Sequence, residues 1–230
     1  MMASSASSKL TAFQCEVLEA FFQRERGFFL TGGAALAGFH LGHRTTDDLD
    51  LFTLQHAAFE RSLCVLADVA ATVGAVLDVR QDIPGFKRAV LRRREEGVVV
   101  DLVKDMSSQL HPEKLERDHV VVDPADEILA NKLKTIREVF VRRRRTEDRD
   151  LVDVMLLERA GYPVEAALPT ARAKNGGCTP ATLAQLLSEV KIPDGIELPA
   201  GVAPPELRTY LADLIRRLLV LAAPEEPAQP

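Results

Sequence analysis

Tryptophan is absent from this 230-residue sequence and tyrosine occurs only twice. Platforms that stack unpaired nucleic-acid bases are built from exposed aromatic rings, so this shortage argues against an aromatic single-strand binder. Cysteine is also scarce. Cys15, Cys64 and Cys178 are three in number and form no Cys-x-x-Cys pair, which excludes a disulfide framework and a zinc cluster. A reduced, cytoplasmic setting is the expectation. There is no excess of positive charge: 29 Lys and Arg face 34 Asp and Glu, for a net charge of -5. The chain as a whole is therefore not a polycation suited to non-specific nucleic-acid binding. No apolar run approaches the ~20 residues that span a bilayer. Residues 1–8 are small and polar and carry no apolar core of a secretory leader. What is present is ordinary globular composition, 47% apolar and 27% charged, in a chain long enough for one large domain or two small ones.

Against that plain background one stretch stands out. The apolar run Phe28-Phe29-Leu30 leads into Thr31-Gly32-Gly33, and Asp48-Leu49-Asp50-Leu51-Phe52 follows. Two adjacent glycines let backbone N–H groups approach a phosphate closely, because no Cβ intervenes. A helix beginning just after such a turn adds unpaired N–H groups and a positive dipole end. The plain alternative is a tight strand-to-helix turn. The spacing fits neither the Gly-Lys-Ser/Thr phosphate loop nor a dinucleotide fingerprint.

Asp48 and Asp50, at i and i+2 on a strand, point to one face. Paired carboxylates repel unless a cation lies between them, and Mg²⁺ takes hard oxygen ligands while keeping positions for phosphate oxygens. Asp47 has the wrong parity for that face. Asp101, inside Val98-Val99-Val100-Asp101-Leu102-Val103, needs either a partner or a task, since an unpaired buried carboxylate is costly. It is a third metal ligand, a general base for an incoming hydroxyl, the partner of an arginine in 92–94, or a solvent-facing residue at a strand end. Asp78 makes a similar, weaker case. His40, His43 and Arg44 stand between the two motifs and are candidates to line a nucleotide pocket.

The periodicities predict helices over 9–26, 34–40 and 56–73 and strands over 28–31, 48–53, 75–79, 89–92 and 98–103. The last two strands pair across the charged turn at 93–97. After His111-Pro112 the character changes. A helical tract covers 124–159, connections rich in Pro, Gly and Ala cover 162–174 and 191–205, and helices cover 180–190 and 206–221. Thr179 is the expected N-cap of the helix over 180–190, with Pro180 at its first position. The expected organisation is therefore α+β: a mixed sheet with flanking helices over 9–110 and a mainly helical domain over 111–223.

In the second half, Lys132 interrupts an apolar helical stripe made by Ile128, Leu129 and Ile136. A cation on an inner face either neutralises a triphosphate or snorkels to solvent. Asp150 and Asp153 are helix neighbours at i and i+3, and Asp150 is placed to orient Lys132 or Arg149. Arg142-Arg143-Arg144-Arg145 adds local positive charge that either contacts RNA phosphates or is simply solvated.

Together these motifs resemble the DNA polymerase β-like nucleotidyltransferase superfamily, and within it the AbiEii/MenT-type nucleotidyltransferase toxins. The resemblance rests on Leu30-Thr31-Gly32-Gly33-Ala34-Ala35-Leu36-Ala37, Leu41-Gly42-His43-Arg44, Asp48-Leu49-Asp50-Leu51-Phe52, Ala130-Asn131-Lys132-Leu133 and Arg149-Asp150-x-x-Asp153. It covers roughly residues 27–157. It implies that Asp48 and Asp50 bind the metal, that Thr31 and Gly33 contact the triphosphate, that Lys132 faces the nucleotide and that Asp150 is essential. Gly33 stands where many relatives have serine, and the Lys-Trp pair of some members has no counterpart in a chain without tryptophan. The implied activity is Mg²⁺-dependent transfer of a nucleotide from a nucleoside triphosphate to RNA, tRNA in some members, with a cognate antitoxin as partner and no membrane. Two other functions share the first motif: modification of a small molecule of the aminoglycoside type, and an inactive binding module that keeps the fold.

Overall fold

A computed structural model of the chain describes residues 8–141 and 148–223. It divides into two compact units, Met1–Ile128 and Leu129–Pro230.

The first unit is built on a seven-stranded mixed sheet in the order β3-β4-β5-β2-β1-β7-β6. Its strands are β1 (Phe29–Thr31), β2 (Asp48–Thr53), β3 (Val76–Ile83), β4 (Phe86–Arg93), β5 (Glu96–Lys104), β6 (Leu115–Arg117) and β7 (Val120–Val122). β2 runs antiparallel to β1 and parallel to β5, and β1 runs parallel to β7. β4 and β5 form the expected hairpin, with Arg93 opposite Glu96. The strand expected over 75–79 continues to Ile83, and the one expected over 89–92 begins at Phe86. Gly85, at φ +80, makes the turn that joins them. β6 and β7 lie beyond residue 110 in the chain, yet both pair into this sheet.

Helix α1 (Ala12–Phe22) is shorter than the expected 9–26 because Thr11 starts it: its hydroxyl accepts from Gln14 N–H while Gln14 reaches back to Thr11 N–H. The other end of the Gln14 amide donates to Thr46 O at 2.8 Å, tying α1 to the loop before β2. Phe13, Val17, Leu18, Phe21 and Phe22 are its buried stripe. α3 (His56–Thr72) packs on β2 and β5. Lys87 marks the face it covers: its Nζ donates to the carbonyls of Phe59 and Glu60. Leu49, Leu51, Val100 and Leu102 are fully buried, and their parity sets them opposite Asp48, Asp50 and Asp101. The acidic face of the sheet is therefore the one α3 leaves open.

Between β1 and β2 the chain makes α2 (Gly32–Ala35) and then a π-helical turn, Leu36–His40. A single helix over 34–40 was expected; the structure starts it at the glycine pair and widens it, a feature that recurs at functional sites.

The second unit is helical: α4 (Ala125–Val141), in which the division falls, then α5 (Asp148–Arg159), α6 (Val164–Lys174), α7 (Pro180–Ser188) and α8 (Pro204–Ala222). The expectation of a connection over 162–174 is corrected, because α6 occupies it. Val164, Ala167, Leu168 and Ala171 are buried at i, i+3, i+4 and i+7, and this stripe outweighs the hydrogen bond lost at Pro169. Thr179 caps α7 as expected, accepting from Thr182 N–H at 3.2 Å. α8 is anchored by Arg217 to Glu158 and Glu165, and by the Tyr210 hydroxyl to Glu158.

Candidate active site

Cross-strand pairing assembles one row of side chains on the open face. Arg88 pairs with Asp101 between β4 and β5, Asp101 with Asp50 between β5 and β2, and Asp50 with Thr31 between β2 and β1. Residues opposite one another in a ladder share a face, so distant segments converge without any loop having to place them. One oxygen from each of Asp48, Asp50 and Asp101 lies within 4.8 Å of the other two. Asp47, just before β2, is exposed and lies outside this group. Asp78 pairs instead with Arg80 at 2.5 Å.

Three carboxylates this close repel one another, and the structure offsets that charge locally. Arg88 Nε donates to Asp101 Oδ1 at 2.7 Å and its Nη2 to Oδ2 at 2.6 Å, the two-pronged geometry that suits guanidinium and carboxylate. These bonds raise the guanidinium pKa, with Asp48 and Asp50 adding to the effect. The partner of Asp101 is thus Arg88, not one of the arginines in 92–94; Arg93 bonds Glu16 and Glu96. Thr46 donates its hydroxyl to Asp48 Oδ1 at 2.8 Å.

The glycine pair is packed against this cluster. Gly32 has φ +62, and a Cβ there would run into Asp50 Oδ2. A Cβ on Gly33 would stand 2.8 Å from Arg44 Nη2 and 3.3 Å from Thr46 Oγ1. The Arg44 guanidinium thus covers the place a side chain at 33 would take. Its Nη1 also donates to Thr45 O at 3.1 Å.

Two charged residues beside the turn have no expectation attached to them in the sequence. Thr31 is buried, and its hydroxyl donates to Asp123 Oδ2 at 2.8 Å. Asp123, fully buried just after β7, accepts from Lys114 Nζ on Oδ1 at 2.7 Å. Burial pushes the Asp123 carboxyl above its ordinary range, against the pull of Lys114 and Thr31. The Lys114 ammonium also sits 4.3 Å from the Phe29 ring centroid. His40 closes the set: its Nε2 meets Asp123 O at 2.8 Å. Burial lowers the imidazole pKa, so the ring is neutral at pH 7, and bonding a carbonyl requires the proton on Nε2.

Lys132 and Asp150 belong to the second unit and form their own cluster there. Lys132 Nζ lies 2.6 Å from Asp150 Oδ1 and 2.9 Å from Asp153 Oδ2. The apolar residues beside it, Ile128, Leu129 and Ile136, are buried as the stripe implies. Lys132 itself is only 11% exposed, so it does not snorkel. Burial pulls its pKa down, but Asp153 and Asp150 more than reverse this and hold it above the ordinary lysine value. Of the two partners expected for Asp150, the structure shows Lys132, which also pairs with Asp153. The basic run 142–145 lies outside the described residues.

The family model for the AbiEii nucleotidyl transferase toxin of type IV toxin–antitoxin systems matches residues 16–226. No curated protein sequence matches the chain. Among solved structures, the Helicobacter pylori protein JHP933 superposes with a TM-score of 0.57 at 16% identity, covering 91% of each chain. A candidate nucleotidyltransferase from H. pylori gives a TM-score of 0.56 at 16% identity, covering 90% of this chain and 94% of that one. At such identity the two likenesses speak for the fold. In this chain that fold is α+β with a mixed sheet.

Proposed function

The chain belongs to the AbiEii nucleotidyl transferase toxin family, and on that premise we propose that it moves a nucleotide from a nucleoside triphosphate to an RNA acceptor, tRNA being the first to test. The observation that carries this reading is the convergence of Asp48, Asp50 and Asp101 on one face, against the Gly32–Gly33 turn. Three hard oxygen donors from two neighbouring strands suit Mg²⁺ better than a softer metal. These three residues would hold it, and when bound it would act as a Lewis acid on phosphate oxygens.

The protein's own groups have separable tasks. The backbone N–H groups at Gly32 and Gly33 bind phosphate where no Cβ blocks the approach. Arg44, covering Gly33, adds a guanidinium to the same phosphates and supplies the contact that a serine hydroxyl makes in relatives. Thr31 acts through Asp123: with its proton committed inward, the hydroxyl braces the turn and does not itself donate to phosphate. Of the roles open to Asp101, we assign it that of ligand. One of its oxygens lies within 4.8 Å of a carboxylate oxygen on each of Asp48 and Asp50, the placement a shared cation needs. Lys132, held by Asp150 and Asp153 in the second unit, carries the part in nucleotide binding that the family resemblance implies. We also propose partnership with an antitoxin, in keeping with the toxin–antitoxin family, and a cytoplasmic setting, in keeping with the scarce cysteines. Among the described residues, no helix is long and apolar enough to cross a membrane.

The test is label transfer. The full chain is incubated with each labelled nucleoside triphosphate, Mg²⁺ and total cellular RNA. Wild type labels the tRNA fraction, and Asp48→Asn or Asp50→Asn lowers this by at least about 100-fold, the scale of losing a charge-stabilising group, with melting temperature retained. Undiminished transfer by Asp50→Asn would sink the assignment. Label that bypasses RNA and appears on a small molecule would shift the acceptor to that class.

A further inference from the structure

We propose that Arg88 is a displaceable counter-ion of the acidic cluster: it competes with a divalent cation for Asp101, so that cation binding and release of the guanidinium are one exchange. The inference deepens the reading of Asp48, Asp50 and Asp101 as a cation site and rests on it.

Three observations support it. First, both Asp101 oxygens are engaged by Arg88, at 2.7 Å and 2.6 Å, and one oxygen of this same carboxylate lies within 4.8 Å of ligand atoms on Asp48 and Asp50. A cation drawn to those atoms would come within a few ångströms of the guanidinium, where like charges repel strongly. Second, the two partners differ in freedom. The Asp101 side chain is 7% exposed and fixed within β5, whereas that of Arg88 is 46% exposed on a long flexible stem. If the pair separates, the arginine is the partner that moves. Third, a second contact already stands beside it: the Arg88 guanidinium carbon is 5.6 Å from the Phe86 ring centroid, and Phe86 shares its face two residues earlier on β4. A guanidinium leaving Asp101 keeps that aromatic surface and is close enough to meet incoming phosphate.

The alternative is purely architectural: Arg88 holds Asp101 in its ligating position and assists the cation. The two roles predict opposite signs. If Arg88 competes, removing its charge tightens cation binding; if it only positions Asp101, removal loosens it. Mn²⁺ affinity is measured on the full chain by electron paramagnetic resonance, without nucleotide, so that turnover plays no part. Arg88→Met is expected to bind Mn²⁺ at least about fivefold tighter than wild type, on the scale of one weakened charge interaction. Arg88→Gln keeps a donor for Asp101 while removing the charge. It is expected to shift the same way and stands in if Arg88→Met fails to fold. Asp101→Asn should bind more weakly than wild type, and adding Arg88→Gln to it should change little. Equal or weaker Mn²⁺ binding by Arg88→Gln, with Asp101→Asn still impaired, overturns the exchange and leaves the cation site standing. Binding that is indifferent to both Asp50→Asn and Asp101→Asn overturns the cation site itself.

Discussion

Gly32→Ala tests the link between the glycine turn and the carboxylates most directly, because two separate costs can be worked out for it. Gly32 has φ +62, a region that costs an L-residue about 1–2 kcal/mol. The added Cβ would also collide with Asp50 Oδ2, and forcing that side chain off its rotamer costs about 0.5–1.5 kcal/mol. The sum is about 1.5–3.5 kcal/mol. At about 2–4 °C per kcal/mol for a chain of this length, the melting temperature falls by about 3–14 °C. Gly74→Ala separates the two terms. Gly74 has φ +66, yet nothing lies within 4 Å of where its Cβ would stand, so that variant has the backbone cost alone. Both variants are followed by thermal unfolding and by nucleotide transfer. Gly32→Ala should be the less stable and lose transfer by displacing Asp50, while Gly74→Ala should keep transfer at the wild-type level. If Gly32→Ala is no less stable than Gly74→Ala and still transfers nucleotide normally, Asp50 does not depend on the turn and the packing argument fails.

Lys132→Met removes the buried ammonium that pairs with both Asp150 and Asp153 and should cost about 3–5 kcal/mol, read by denaturant unfolding; Lys132→Met with Asp153→Leu should recover part of it. Because the folded lysine pKa is raised, its contribution is complete below the unfolded value of about 10.4 and is lost only as pH rises through the folded value. The wild-type advantage over Lys132→Met should therefore be flat across neutral pH and shrink only in strong alkali. Gly33→Ser requires the Arg44 Nη2, 2.8 Å from the new Cβ, to move; it is the far end of a flexible side chain, so stability should change by less than about 1 kcal/mol. The nucleotide KM of Gly33→Ser should then become insensitive to Arg44→Ala, whereas in wild type Arg44→Ala raises it.

What the sequence made legible was whatever obeys a local period. Asp48 and Asp50 were placed on one face, and Asp47 off it, by strand alternation alone. Lys132 was found because it breaks a helical stripe, and Asp150 with Asp153 because i and i+3 meet on a helix. Arg88 escaped notice because register across the β4–β5 ladder is a tertiary property; the neighbouring arginines at 92–94 were equally good candidates by proximity in the chain. Asp123 and Lys114 escaped for a stronger version of the same reason. The bond from Thr31 to Asp123 spans 92 residues, and β6 and β7 contribute only three residues each, too few to show a period. α6 is a different kind of miss. Its buried spacing is written in the sequence, but Pro163 and Pro169 suggested a connection. Pro163 in fact occupies the N-cap, where it costs little, and only Pro169 is inside the helix.

Those missed residues explain how the legible ones can coexist. Read across the sheet, the row runs Arg88, Asp101, Asp50, Thr31, and the Thr31 hydroxyl carries it on to Asp123 and Lys114. Cations stand at both ends and carboxylates between them. Isolated on a face that α3 leaves open, Asp48, Asp50 and Asp101 would repel; with Arg88 on one flank the charge is partly offset before any ligand arrives. The two flanks differ in a way that bears on function. Lys114 and Asp123 are both buried, at 7% and 0% exposure, so their pair is a fixed brace beneath the turn. Arg88 is half exposed, so its pair with Asp101 is the one that can open. A rigid cation therefore secures the glycine turn, and on the exchange proposed for Arg88 a displaceable one guards the carboxylates. The site can then be stable without ligand and still yield Asp101 when a stronger cation competes for it.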